Sequence, residues 1–124
     1  MTTMWKGGAP DWLNEAAASY GVAGQPYFID GDVGGFVYDY PLHAAAAGSQ
    51  TNKILWVFLT HSRGEMQLSG HPFYASTPTV NETLAPAAGS DRAFPSVVDV
   101  PDVGCWEFTL SNGVQTATVD LIYY

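Results

Sequence analysis

His61, Met66 and His71 fall within eleven residues and could together bind copper, because this metal accepts imidazole and thioether ligands. The runs 53–60 and 65–69 around them, however, have the pattern of two paired strands. In such a pair Met66 points into the core, and the histidines lie at opposite ends of the second strand. We therefore interpret Met66 as a core residue and both histidines as loop residues.

Carboxylates near the start of the chain could offer oxygen ligands to calcium. Asp30 and Asp32 lie at alternate positions, with Asp39 nearby. A calcium loop continues this spacing with a further carboxylate or amide, and here Gly34 stands in that place. Because Asp and Gly are also the usual residues of turns, we interpret the segment as a solvated turn, with a metal site at Asp30 and Asp32 as the alternative.

Aromatic residues are the third candidate for chemistry, since the chain has 4 Trp, 7 Tyr and 6 Phe. Exposed Tyr and Trp can stack on sugars or anchor a protein partner. Alternatively they cover the core and keep only their polar tips in water. The tyrosines expected at the surface are Tyr27, Tyr38, Tyr40, Tyr74, Tyr123 and Tyr124. The ligand-binding candidates are Tyr27, Tyr38, Tyr40, Tyr74 and His71.

Motifs of enzymes are missing from the sequence. It contains no Gly-x-Ser-x-Gly elbow, phosphate-binding loop or His-Glu-x-x-His pair. Cys105 is the one cysteine, which excludes an intrachain disulfide, and we interpret it as a small strand residue. Asp11 and Glu15 could form a pair of carboxylates on one helix face. We interpret them instead as acidic residues that stabilise the N-terminal end of the predicted helix, where the helix dipole is positive. The sequence therefore predicts no cofactor and favours a protein without enzymatic activity.

The charge balance excludes two kinds of partner. Twelve acidic residues against four basic ones give a formal net charge of −8. A nucleic-acid binder needs clustered Lys and Arg, and an anionic membrane surface would repel this chain. No apolar run approaches the ~20 residues of a membrane-spanning helix. The composition, 47% hydrophobic and 13% charged, instead predicts a folded domain rich in strands.

Two parts of the chain differ in pattern. Residues 1–25 contain a predicted short helix between Pro10 and Gly21, and residues 26–124 consist of short extended runs separated by turns, typical of a single β-sandwich domain. The apolar stripe of the helix is expected to be Trp12, Ala16 and Tyr20.

The run 53–60 is the strongest strand, and it is apolar on both faces. It should therefore lie in the middle of a sheet that is covered on both sides, either by the helix or by residues 41–52. The short polar connection to 65–69 predicts a hairpin between these two strands.

The C-terminal residues predict a second hairpin. Asn112-Gly113 lies between two alternating runs and favours a two-residue turn with positive φ at both positions. This turn would pair Leu110 with Gln115 and Trp106 with Val119. We expect an inward row of Trp106, Phe108, Leu110, Ala117, Val119 and Leu121, and an outward row that contains Cys105, Glu107 and Asp120.

The segment 95–106, with its Pro-Ser-Val-Val-Asp-Val-Pro-Asp-Val-Gly-Cys-Trp sequence, resembles the C-terminal motif of uncharacterised secreted or lipid-anchored bacterial β-sandwich proteins. Residues 52–57 and 68–72 are similar to earlier segments of the same group. The resemblance covers roughly residues 50–124 and implies an immunoglobulin-like antiparallel β-sandwich and an exported location. An export signal or lipid anchor would then lie outside the sequence given.

The sequence predicts a non-enzymatic interaction or structural domain of the cell envelope or extracellular space, with a protein or glycan as partner. The alternative is a carbohydrate-binding module that uses surface aromatics, and the third interpretation is a small envelope enzyme or metal carrier. The terminal strand, which ends at Tyr124, has no proline or lysine to protect its edge, so a homodimer through that edge is a further hypothesis.

Overall fold

A computed structural model describes residues 2–45 and 52–124, and it has an all-β fold of two four-stranded antiparallel sheets. The first sheet has the strand order β1-β2-β3-β6, and the second has the order β5-β4-β7-β8. The elements are α1 (Asp11–Ala16), β1 (Tyr27–Asp30), β2 (Val33–Val37), β3 (Lys53–Phe58), β4 (Met66–Pro72), β5 (Val80–Leu84), β6 (Ala93–Val97), β7 (Gly104–Ser111) and β8 (Thr116–Tyr123).

The core between the two sheets is organised around a row of aromatic rings. The ring of Phe28 lies 5.5 Å from that of Trp56, which lies 6.0 Å from Phe108. Phe108 in turn lies 6.2 Å from Tyr123. The first two pairs meet edge to face and the third is tilted, and aromatic contacts of this kind add to the stabilisation that burial provides. The row joins β1 and β3 of the first sheet to β7 and β8 of the second.

Each sheet has a glycine opposite a ring of this row. Phe28 pairs with Gly35, and Phe108 pairs with Gly70. A Cβ at Gly35 would lie 2.6 Å from Cζ of Phe28, and one at Gly70 would lie 2.6 Å from Cδ1 of Phe108. The rings therefore occupy the space that a side chain would need. Gly34, which the sequence analysis placed in a turn, is also inside β2.

The helix covers the outer face of the first sheet. Its buried residues Leu13 and Ala16 form a second apolar cluster with Leu55 and Val57 of β3. The prediction that β3 is covered on both faces is thus confirmed, with the helix as the cover; of the alternative segment 41–52, residues 46–51 lie outside the described part. The predicted apolar stripe of Trp12, Ala16 and Tyr20 omitted Leu13, which is fully buried and faces the sheet.

The predicted hairpin between 53–60 and 65–69 is wrong, because β3 and β4 lie in different sheets. The physical reason is that the two strands differ in which of their faces are apolar. β3 is apolar on both sides and fits between β2 and β6 under the helix, whereas β4 alternates between buried and exposed residues. An alternating strand suits a sheet with one face in water, so residues 61–65 cross from the first sheet to the second.

In the C-terminal hairpin the two faces follow the prediction but the register does not. Ser111 pairs with Thr116, so residues 112–115 form the loop and Phe108 faces Val119. The buried Asn112 side chain accepts hydrogen bonds from the backbone N–H groups of the two residues before Thr116, at 3.0 and 2.8 Å. Because the shift is two residues, every side chain keeps its face.

Two further segments pair with the edges of the sheets. We call residues 2–6 the N-terminal strap. Trp5 exchanges two backbone hydrogen bonds with Tyr27 at 2.8 and 2.9 Å, and Thr2 donates to the Asp120 carbonyl of β8 at 3.3 Å. The strap therefore joins β1 of one sheet to β8 of the other. Near the end of β8, Tyr124 donates to the carbonyl of Leu42 at 2.9 Å.

Candidate functional site

The exposed aromatic side chains gather at one end of the sandwich. By the strand register this end holds the start of β1 and β3 and the ends of β2, β4, β6 and β8. The hydroxyl of Tyr123 donates to the carbonyl of Val98 at 2.7 Å, which ties the two sheets together here. We call it the aromatic end. Its five exposed aromatics are Trp5, Tyr40, Phe73, Tyr74 and Tyr124.

A cleft at the aromatic end has two of these rings in its walls. We call it the Trp5 cleft; it encloses about 550 Å³, within the range of small-ligand sites. A smaller cavity of about 270 Å³ adjoins it and shares Met4 and Tyr40. Among the residues that line the Trp5 cleft are Met4, Trp5, Lys6, Gln25, Asp39 and Tyr40.

Each wall of the Trp5 cleft has an identifiable support. The strap wall is fixed by its pairing with Tyr27, whose hydroxyl also donates to the carbonyl of Gly7 at 2.8 Å. The opposite wall follows β2, where the N–H of Tyr38 donates to the Lys53 carbonyl at 3.0 Å. Asp39, next in the chain, has a φ of +53°. Aspartate tolerates this left-handed conformation better than most residues do.

The side chains of the Trp5 cleft combine aromatic rings with hydrogen-bond donors and hydrogen-bond acceptors. Gln25 both donates and accepts, Lys6 donates and Asp39 accepts. The pKa of Tyr40 is raised above its usual value, first by burial and then by the neighbouring Tyr124 hydroxyl. The Tyr40 phenol is therefore neutral at physiological pH, and it can donate a hydrogen bond as well as accept one.

No family model, curated protein or solved structure matches the chain. The resemblance over residues 50–124 therefore stays a prediction.

The structure brings one of the predicted ligand-binding tyrosines into the Trp5 cleft, namely Tyr40. Tyr27 is buried and supports the strap from below. Tyr38 is half-buried, and its hydroxyl donates to the carbonyl of Tyr20 at 2.8 Å. Tyr74 is 93% exposed and packs edge-on against Phe73, with a ring distance of 5.0 Å.

The structure also places Tyr123 and His71, two further residues that the sequence singled out. Tyr123 was expected at the surface but is 1% exposed, because its ring ends the aromatic row of the core. His71 is half-buried on the outer face of the second sheet. Its Nδ1 lies 2.8 Å from the carbonyl oxygen of Ala75, and its Nε2 lies 3.5 Å from Oε1 of Glu107. It is thus separate from the Trp5 cleft.

The metal candidates are spread over the molecule. Asp30 and Asp32 flank the exposed turn between β1 and β2. Met66 is fully buried in the core, as predicted, and His61 contacts Asp91 at 2.8 Å. Over residues 2–45 and 52–124, no three His, Cys, Asp or Glu side chains come together as metal ligands would.

The second sheet has a polar groove of about 360 Å³ on its outer face, lined mainly by Ser, Thr, Asn and Gln side chains. Some of these groups already bond to one another, since Thr83 donates to the Gln67 amide oxygen at 2.8 Å. Cys105 lies on the same face of this sheet, and burial followed by the charge of Asp120 raises its thiol pKa. A nucleophilic cysteine needs the opposite shift. We therefore take the Trp5 cleft as the candidate site.

The described part of the chain has no helix long and apolar enough to cross a membrane.

Sequence reasoning missed Trp5 and Gln25 as site residues, and it considered Asp39 only as a calcium ligand. Trp5 gives no periodic signal, because it precedes a Gly-Gly pair and lies outside any regular run. Its position is decided by the pairing of the strap with β1.

Proposed function

We propose that this protein is a non-enzymatic recognition domain of the cell envelope or extracellular space, and that the aromatic end is its contact surface. The observation that carries this proposal is the gathering of the five exposed aromatic side chains at one end of the sandwich. Tyr and Trp are the side chains that most often dominate binding energy at interfaces. Exposed apolar groups at the other end are aliphatic and fewer: Leu59 and Val114.

The proposal includes an immunoglobulin-like sandwich. The order β5-β4-β7-β8 corresponds to strands C′, C, F and G of that architecture, and β2-β3-β6 corresponds to A, B and E. In this comparison β1 and the strap are additions beside strand A. The strand order supports the fold type independently of the resemblance in residues 50–124, which in turn supports an exported location.

The experiment compares two sets of surface variants. In one, Trp5, Tyr40 and Tyr74 are replaced by Ala together; in the control, Leu59 and Val114 at the opposite end are replaced by Ala. Each purified protein is titrated against fractionated envelope proteins and envelope polysaccharides. We expect the first variant to lose binding and the control to keep it. Equal binding by both variants would contradict the proposal, as would chemical change of the bound component detected by mass spectrometry.

A further inference from the structure

We infer that the Trp5 cleft binds a neutral carbohydrate chain, with one sugar ring lying against Trp5. This inference rests on the proposed recognition function and names the ligand class of its contact surface. The side chain of Trp5 is 56% exposed and that of Tyr40 is 42% exposed, so both present apolar surface to a molecule in the cleft.

Stacking on an aromatic ring suits one face of a sugar. A pyranose ring has C–H bonds on its face, and the hydrogens of these bonds carry a small positive charge. The face of an indole or phenol ring is electron-rich and attracts them. Burial of the same surfaces adds a hydrophobic contribution. Trp5 provides the larger ring, and Met4 in the adjoining cavity adds a flexible apolar contact of the kind methionine makes at binding surfaces.

The polar groups of the cleft match the edge of a sugar ring. Each hydroxyl of a sugar both donates and accepts a hydrogen bond, so its site needs both functions. Asp39 and Gln25 supply acceptors, and Lys6 and Gln25 supply donors. Such groups give specificity, because a ligand without the matching hydroxyl leaves them desolvated and without a partner.

The charges favour a neutral ligand over an anionic one. The carboxylate of Asp39 offsets the ammonium of Lys6 within the cleft, and the whole chain carries a net charge of −8. A polyanionic glycan would be repelled by this field at long range.

The size and form of the site suit a short glycan. The Trp5 cleft is an open depression of about 550 Å³, within the range of small-ligand sites, and a cavity of about 270 Å³ lies beside it. Met4 and Tyr40 line both, so two neighbouring units of one sugar chain would lie side by side there.

The test uses the full chain and soluble tetrasaccharides of glucose, mannose, galactose and N-acetylglucosamine, with polygalacturonate as the anionic probe. Binding is followed by calorimetry and by acrylamide quenching of tryptophan fluorescence. Trp56 and Trp106 are fully buried, but Trp12 is only partly buried. The quenching measurement is therefore made in a Trp12→Phe background, where protection reports mainly on the exposed Trp5. We expect at least one neutral tetrasaccharide to bind and to protect Trp5, and we expect polygalacturonate to bind more weakly.

Variants locate the binding. Trp5→Ala and Tyr40→Ala should each weaken it about tenfold or more, the range of an aromatic hot spot, while Trp5→Phe should keep more of it than Trp5→Ala. Val114→Ala is the control, since Val114 is 57% exposed at the opposite end of the sandwich, and this variant should bind as the unchanged protein does. Circular dichroism and urea unfolding establish that each variant is folded.

Two results would overturn the inference. One is the absence of binding by all four neutral tetrasaccharides at millimolar concentration. The other is sugar binding that Trp5→Ala and Val114→Ala weaken equally. If an envelope protein still binds the aromatic end in either case, the proposed recognition function stands and the carbohydrate assignment alone fails.

Discussion

A side chain at position 70 should clash with the aromatic row that joins the two sheets. Gly70 is buried in β4 and pairs with Phe108. A Cβ there would lie 2.6 Å from both Cδ1 and Cε1 of the Phe108 ring and 3.1 Å from Cγ2 of Val80. The clash involves side chains alone, so its size depends on whether the ring can move. Because Phe108 also contacts Trp56 and Tyr123, the ring has little room to move.

We therefore expect Gly70→Ala to lower the free energy of unfolding by about 1–3 kcal/mol, the usual cost of overpacking a core. The sign should reverse once the ring is gone. In a Phe108→Val background, which has no δ or ε carbons, the same substitution should stabilise by about 0.5–1 kcal/mol, because glycine in a strand carries an entropic cost. The effect of Gly70→Ala on the free energy of unfolding should therefore differ between the two backgrounds by about 1.5–4 kcal/mol.

The assay is urea unfolding of four proteins: the unchanged chain, each single variant and the double variant. Ser69→Ala serves as the control on the same strand, since Ser69 is exposed and a surface change there should shift stability by less than about 0.5 kcal/mol. If the effects of Gly70→Ala and Phe108→Val add within about 0.5 kcal/mol, the ring of Phe108 does not exclude a side chain at position 70, and this explanation is refuted.

Three further predictions concern single polar groups. Tyr123→Phe removes the buried hydrogen bond to Val98 and should cost about 1–3 kcal/mol in urea unfolding; an unchanged midpoint would show that the bond does not contribute. Asn112→Ala leaves two backbone N–H groups of its loop without their acceptor, and we expect a loss of about 1–2 kcal/mol with an unchanged fold by circular dichroism. Burial and the carboxylate of Glu107 opposite it raise the pKa of Asp120, so the stability from this group is present at acidic pH and lost as pH rises through that pKa. Asp120→Asn should therefore raise Tm more at pH 7 than at pH 4, and an equal rise at both would contradict the shift.

Local patterns predicted much of the fold because burial acts on them directly. The two apolar faces of β3 require cover on both sides, and the helix supplies it. The alternation along β7 and β8 predicted which side chains point inward. Pairing between distant strands was harder to predict, since residues 61–65 could close a hairpin or cross between sheets with the same sequence. Gly34 was misplaced because its role depends on distant residues: a Cβ there would lie 2.6 Å from the Phe28 carbonyl oxygen of β1 and 3.1 Å from Cδ1 of Leu13 in the helix.

The candidate site was less predictable, and the reason is physical. Its walls come from the strap and from residues that follow β2, and hydrogen bonds between Trp5 and Tyr27 bring them together. Such pairing between irregular segments leaves no periodic trace in the sequence. Exposure of Tyr40 could be anticipated from its place among turn residues. The burial of Tyr123 could not, because it follows from the aromatic row of the core.

The fully buried side chain of Asn52 binds two separate parts of the chain, at His43 and at Asp99. The Asn52 amide oxygen accepts from the N–H of His43 at 2.9 Å, and its nitrogen donates to the His43 carbonyl at 2.7 Å and to Asp99 at 2.8 Å. The Asn52 amide thus pairs with both backbone groups of His43, as the backbone of a neighbouring strand would. Asn52 therefore acts as a non-covalent cross-link between the segment around His43 and the residues that follow β6, and the low dielectric around a fully buried side chain strengthens each of its hydrogen bonds.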